Sequence, residues 1–205
     1  MTSSAELLSA IESQRVVPVL RTKTVEDAID TARVCVSEGL NVIEFTTSTP
    51  GYMEAVKVLA QEGALVGVGT LRDTENLANI RQAGALFSVS YFAPHNFVKA
   101  SIENNLLPIP GVLTPTEMQL AVNDGAKILK IFPAWQSNPR VIGDVAPLIG
   151  PIKFMPTGGL TPESIKEWIK AGAIAIGAGS QLGTLQTVGE EKLRLNIRAA
   201  LQSTL

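Results

Sequence analysis

Cysteine and histidine are almost missing from this chain: Cys35 and His95 are the only ones in 205 residues. A lone cysteine excludes an intrachain disulfide, and no Cys/His cluster has metal-ligand spacing. His95 follows Pro94 at a predicted helix start, where a solvated surface residue is expected, so Ser-His and Cys-His catalysis fall away. Cys35 sits in an amphipathic stretch and reads as a small buried hydrophobe. Charge is scarce as well, at 18% of residues with a net charge of −2 and no basic block, which leaves no footprint for nucleic acid. No apolar run is long enough to span a bilayer, and Met1–Glu6 lacks a basic region followed by an apolar one. The expectation is a cytoplasmic protein with no signal peptide and no membrane partner. No linker or low-complexity segment divides the chain, which predicts one domain over 1–205, with 1–15 as an N-terminal helix.

What is present is a rhythm written in glycines. Glu38-Gly39-Leu40, Glu62-Gly63-Ala64, Ala83-Gly84-Ala85, Asp124-Gly125-Ala126 and Ala171-Gly172-Ala173 each read as a helix end turning into an apolar run. Asn104-Asn105 and Ile149-Gly150 are weaker breaks of the same kind. Eight short branched runs are predicted as strands: Val16–Leu20, Val42–Thr46, Leu65–Val68, Leu86–Ser90, Leu107–Pro110, Ile128–Phe132, Ile152–Met155 and Ala173–Ile176. Helix starts stand between them, at Thr24 with Asp27, Thr114-Pro115-Thr116-Glu117 and Thr161-Pro162-Glu163. Such alternation predicts parallel βα units, and eight of them predict an α/β fold of the (β/α)8 TIM-barrel type with an extra N-terminal helix. A doubly wound open sheet is the alternative.

Barrels of this kind carry their chemistry at the C-terminal ends of the strands. There the sequence places Arg21, Glu44, Thr70, Ser90, Pro110, Lys130, Thr157-Gly158-Gly159 and Gly177-Ala178-Gly179-Ser180. Lys130 lies inside an apolar strand, where burial disfavours its charged form and makes the amine a nucleophile, so it is a Schiff-base candidate. Strand parity sets Glu44 with Val42 and Thr46, and Lys130 with Ile128 and Phe132, so both point inward. The plain alternative, a structural ion pair, is compatible with catalysis, because a base beside an imine suits carbon-acid chemistry. The late glycines predict a phosphate pocket of backbone N–H groups. Arg21 ends the first strand facing inward, where a fixed cation suits a carboxylate. Thr114 is read as a helix cap.

These segments together resemble the class I 2-keto-3-deoxy-6-phosphogluconate / 4-hydroxy-2-oxoglutarate (KDPG/KHG) aldolases from Val16 to Ser180. The motifs are Val17-Pro18-Val19-Leu20-Arg21, Val42-Ile43-Glu44, Gly67-Val68-Gly69-Thr70, Pro110-Gly111 with Thr114–Glu117, Lys130-Ile131-Phe132-Pro133-Ala134 and Pro156-Thr157-Gly158-Gly159. The resemblance implies a metal-independent lyase without a cofactor, acting on pyruvate and a phosphorylated 2-keto-3-deoxy acid, and assembled as a homotrimer. It implies that Lys130 forms an imine with pyruvate and that Glu44 shuttles protons. Arg21, Thr70, Phe132, Thr157, Gly158, Gly159, Gly179 and Ser180 are the implied substrate-binding set. Two positions depart from the pattern: Ser48 stands where many members carry an arginine, and Ser90-Tyr91-Phe92 replaces a frequent Ser-Pro-Gly. Arg21 is expected to supply the charge missing at Ser48, a pattern also suggested by the 6-phosphogalactonate branch. The rivals are a sugar-phosphate isomerase or epimerase barrel and an inactive paralogue retained as a binding protein.

Overall fold

In the computed structural model, residues 2–205 are described; the predicted single domain includes Met1, which lies outside them. Helix α1 (Ser4–Gln14) precedes strand β1 (Val16–Leu20), and strands and helices then alternate. The chain continues through α2 (Val25–Ser37), β2 (Val42–Thr46), α3 (Tyr52–Gln61), β3 (Leu65–Leu71), α4 (Leu77–Ala83) and β4 (Phe87–Ser90). Next come α5 (Phe97–Glu103), β5 (Leu107–Ile109), β6 (Gly111–Val112), α6 (Pro115–Asn123) and β7 (Ile128–Ile131). The last third holds α7 (Arg140–Ile149), β8 (Lys153–Phe154), α8 (Pro162–Lys170), β9 (Ile176–Ala178), α9 (Leu185–Val188) and α10 (Glu190–Gln202). Among the described residues, no helix is long and apolar enough to cross a membrane.

The strands are parallel throughout and form two sheets, ordered β5-β4-β3-β2-β1-β9 and β6-β7-β8. This corrects the expectation of eight uninterrupted strands in one wall. The fifth run divides at Pro110, a residue with no N–H to donate to a ladder. Ile109 and its neighbours pair with β4, whereas Gly111 and Val112 pair with β7. Gly111 has no substitute here, since a Cβ would overlap the Tyr91 backbone. The eighth strand begins at Ile176 rather than Ala173 because the Ala173 N–H closes the end of α8 on Trp168 O, at 3.0 Å. Pairing with β1 then starts at Val16↔Ile176.

The glycine rhythm was read correctly. Gly39, Gly63, Gly84, Gly125 and Gly172 all follow helix ends with φ between 90° and 114°, a region costly for any residue with a side chain. Thr114 and Thr161 cap their helices through capping boxes with proline in the first turn. Cys35 is fully buried in α2, where desolvation pushes its thiol up to about 12. His95 is exposed just before α5.

Parity sorts the core into two layers. Ile43, Phe45, Val66, Val68, Leu129 and Ile131 pack with the surrounding helices. Val17, Val42, Phe87, Val89, Ile109, Ile128 and Met155 form the inner cluster, which α1 covers with Leu7 and Ile11. Glu44 and Lys130 share the parity of this inner set.

One polar knot fixes the chain beyond β9. Asp27, buried on α2, accepts hydrogen bonds from the Thr31 hydroxyl at 3.2 Å, the Thr184 hydroxyl at 2.9 Å and the Gln186 N–H at 3.1 Å. Thr31 Oγ1 also accepts from the Leu185 N–H at 3.0 Å. Removing the carboxylate deprives two buried hydroxyls and the part-buried Gln186 N–H of their acceptor. Asp27→Ala is therefore expected to destabilise the fold by about 2–4 kcal/mol, measured by urea denaturation.

Candidate active site

A cavity of about 760 Å3 opens at the C-terminal ends of the strands. Its floor holds Lys130 from β7 and Glu44 from β2, elements that reach the same space from different sheets. Lys130 Nζ lies 3.8 Å from Glu44 Oε1, close enough for electrostatic attraction. Neither carboxylate oxygen has a hydrogen-bond partner, and Glu44 is wholly shielded from solvent. Burial therefore holds the Glu44 carboxyl above its usual range, although Lys130 and Arg21 pull it down. The Phe132 ring centroid stands 5.4 Å from Lys130 Nζ, giving the ammonium an aromatic wall.

Two glycines on β3 make room for these groups. A Cβ on Gly67 would overlap the Phe87 ring, and one on Gly69 would overlap the Glu44 carboxylate. Pairing with β4 slips between Val68 and Leu71, and inside that bulge Thr70 adopts φ 63°, a strained conformation for a β-branched residue. The bulge is tied down from both sides. Arg21 Nη2 donates to Thr70 Oγ1 at 3.2 Å, and the Thr47 hydroxyl donates to Thr70 O at 3.2 Å.

Of the residues picked from the sequence, Arg21, Glu44, Thr70, Lys130, Phe132, Thr157, Gly158, Gly179 and Ser180 all line the cavity. Gly159 does not; it packs against Trp135, whose side chain a Cβ there would press upon. Gly158 does the equivalent against the Phe132 ring. Ser48 is exposed and outside the cavity, with its hydroxyl 2.9 Å from Thr46 Oγ1. Tyr91 lines the mouth, its ring centroid 4.8 Å from that of Phe92 and 6.5 Å from that of Phe132. Val19, Gln181, Gly183, Thr184, Thr187 and Val188 were missed. The Gly183-Thr184 pair was a readable signal, a turn glycine followed by a helix cap.

An amine beside an unsolvated carboxylate at the strand ends of a parallel α/β fold is an arrangement that suits enzymes handling carbonyl carbon through a lysine. Comparison with known proteins narrows this further. The family model described as KDPG and KHG aldolase matches residues 7–197. The 2-dehydro-3-deoxy-phosphogluconate aldolase of Dickeya dadantii is 32% identical over 184 residues, covering 88% of this chain and 85% of that protein. The KHG/KDPG aldolase of Escherichia coli K12 is also 32% identical, over 183 residues, with the same shares covered. Among solved structures, the 4-hydroxy-2-oxoglutarate aldolase/2-deydro-3-deoxyphosphogluconate aldolase from TTHB1 superposes with a TM-score of 0.85 at 32% identity, covering 97% of this chain and 98% of that one. The chain belongs to the KDPG and KHG aldolase family.

The packing of Gly69 on Glu44 yields a direct expectation. Gly69→Ala displaces the carboxylate from Lys130 and lowers turnover by about 10²-fold, against an overpacking cost of only about 1–3 kcal/mol in stability. A steady-state assay beside a thermal melt separates the two effects.

Proposed function

We propose that this protein is a class I aldolase that reversibly cleaves 2-keto-3-deoxy-6-phosphogluconate to pyruvate and glyceraldehyde 3-phosphate. The observation that carries the reading is the buried Lys130 amine 3.8 Å from a Glu44 carboxylate in the cavity floor. Membership of the aldolase family supports it independently. It disfavours an isomerase or epimerase, which has no use for an imine-forming lysine, and equally a retired paralogue, since the pair is intact.

The Lys130 amine adds to the C2 carbonyl, and loss of water leaves a protonated imine. Glu44 takes the proton from the C4 hydroxyl as the C3–C4 bond breaks, and its electron pair flows into the iminium to give an enamine. The aldehyde departs. Protonation of the enamine at C3 and hydrolysis of the imine release pyruvate and restore the amine. The imine is the electron sink, so the cycle needs no metal.

Arg21 and Thr70 hold the pyruvate carboxylate in this reading, supported by their mutual hydrogen bond on the cavity rim. Arg21 thus stands in for the arginine absent at Ser48. Thr157, Gly158 and Phe132 flank the reacting carbons, and Gly179 with Ser180 serves the phosphate. 4-Hydroxy-2-oxoglutarate, giving pyruvate and glyoxylate, is a further substrate. The 6-phosphogalactonate epimer is the second reading, favoured by the use of Arg21. We assign the two sheets to one incomplete (β/α)8 barrel. In support, Lys130 N–H donates to Pro110 O at 2.9 Å across one seam, and Gly177 N–H donates to Pro156 O at 3.0 Å across the other. A single domain, a homotrimer and a cytoplasmic location complete the proposal.

Borohydride reduction in the presence of pyruvate tests the core of it. The adduct is expected on Lys130 and absent in Lys130→Met, and a protein that traps no pyruvate refutes the aldolase reading. Glu44 works as the carboxylate, so the rate falls as pH drops through its pKa, and burial puts that acid limb above the usual 4.5. In Glu44→Gln this limb disappears, with a loss of about 10²–10⁴-fold in cleavage. Arg21→Ala is expected to raise the Michaelis constant for pyruvate by about tenfold or more, as loss of a charged hydrogen bond implies. An unchanged constant removes Arg21 from the carboxylate site.

A further inference from the structure

The cavity has a second polar end, formed by the chain from Gly179 to Thr184 together with Thr187. Several of its hydrogen-bonding groups are already engaged within the segment or with α2. The Thr184 hydroxyl donates to Asp27 Oδ2 at 2.9 Å, and the Thr184 N–H donates to Thr187 Oγ1 at 2.8 Å. The Gly179 N–H, a donor at the end of β9, is occupied by Gln181 Oε1 at 3.2 Å. That bond fixes the orientation of the carboxamide, because only its oxygen can accept from an N–H. Gln181 Nε2 is then left buried with no acceptor. The cations lining the cavity are turned elsewhere, Arg21 to Thr70 and Lys130 to Glu44. An anion at this end must therefore be held by neutral donors. Gln181 controls two of them, its own amide hydrogens and the Gly179 N–H it covers.

We propose that Gln181 is the specificity residue for the substrate's distal phosphoryl group, through an exchange of hydrogen bonds. A bound phosphoryl oxygen takes over the Gly179 N–H, and the released carboxamide donates through Nε2 to the same group. The exchange gives the orphaned amide an acceptor and turns one internal hydrogen bond into two bonds to the anion. It rests on the aldolase reading for the identity of the substrate, but not for the anion itself.

Two variants separate the roles. Gln181→Glu keeps an acceptor for Gly179 N–H and sets a negative charge beside the anion, while Gln181→Met keeps the length and removes both functions. Isothermal calorimetry with glycerol 3-phosphate is expected to show Gln181→Glu weakened by about tenfold or more and Gln181→Met by a smaller factor. In steady-state cleavage the loss falls on the Michaelis constant for 2-keto-3-deoxy-6-phosphogluconate, with the constant for the unphosphorylated 2-keto-3-deoxygluconate moving far less. Equal glycerol 3-phosphate affinity in Gln181→Glu and wild type overturns the proposal, as do equal losses on the two substrates. Pyruvate trapping on the wild-type protein is read alongside. Absence of the adduct sinks the aldolase reading, whereas the calorimetric ratio still decides the role of Gln181.

Discussion

A carboxylate and an amine kept out of water together are the constraint around which this molecule is arranged. Charges taken from water are costly, and their mutual attraction offsets the loss only when the geometry is good. Here the geometry is incomplete: the pair stands at 3.8 Å, and both Glu44 oxygens lack a hydrogen bond. A site built only for stability would have closed that distance or replaced both groups with apolar ones. The fold instead surrounds the pair with rigid parallel strands and keeps the carboxylate less acidic than usual. A raised carboxyl pKa moves such a group toward the range in which a base can both accept and return a proton.

Departures from regular structure cluster around this pair. The bulge at Gly69-Thr70 clears space for the Glu44 carboxylate and turns Thr70 towards Arg21. The break at Pro110 leaves its carbonyl to accept the Lys130 N–H, and Gly111 then sits in register with Lys130. Beyond β9, the buried Asp27 knot holds the segment that carries the distal end of the cavity. In each case the irregular backbone is tied by hydrogen bonds to a neighbouring element. Rigid supports of this kind let loops carry chemistry without blurring its geometry.

Much of this was legible in the sequence, for identifiable reasons. Period-two parity is a hard geometric rule, so the inward pairing of Glu44 with Lys130 could be read before any fold was known. Helix-ending glycines are equally hard, because φ near 100° excludes other residues cheaply, and all five behaved as read. The break in the fifth strand was less visible, although Pro110 was in plain sight: a proline signals a missing donor but not which strand takes over the pairing. The late start of β9 depends on a hydrogen bond from Ala173 back into α8, which no local pattern reveals. Gly159 failed as a cavity residue because a glycine-rich turn says that backbone approaches something closely, without saying what. The partner is Trp135.

Gln181 and Asp27 mark the limit of such reading, and the reason is instructive. Asp27 acts through contacts with a segment far away in the chain, Thr184 and Gln186, whereas Gln181 folds back on the strand-end N–H of Gly179 two residues before it. A polar residue on an amphipathic helix, or in a glycine-rich loop, is ordinarily solvated, and local pattern gives no cause to think otherwise. Only the fold turns Asp27 inward and gives it three donors. It does the reverse for Gln181, whose amide nitrogen it deprives of any acceptor. A buried carboxylate with every neighbour satisfied is a finished structural element. A buried amide donor left over, beside a cavity, is where the sequence of this chain has kept a group for something other than its own fold.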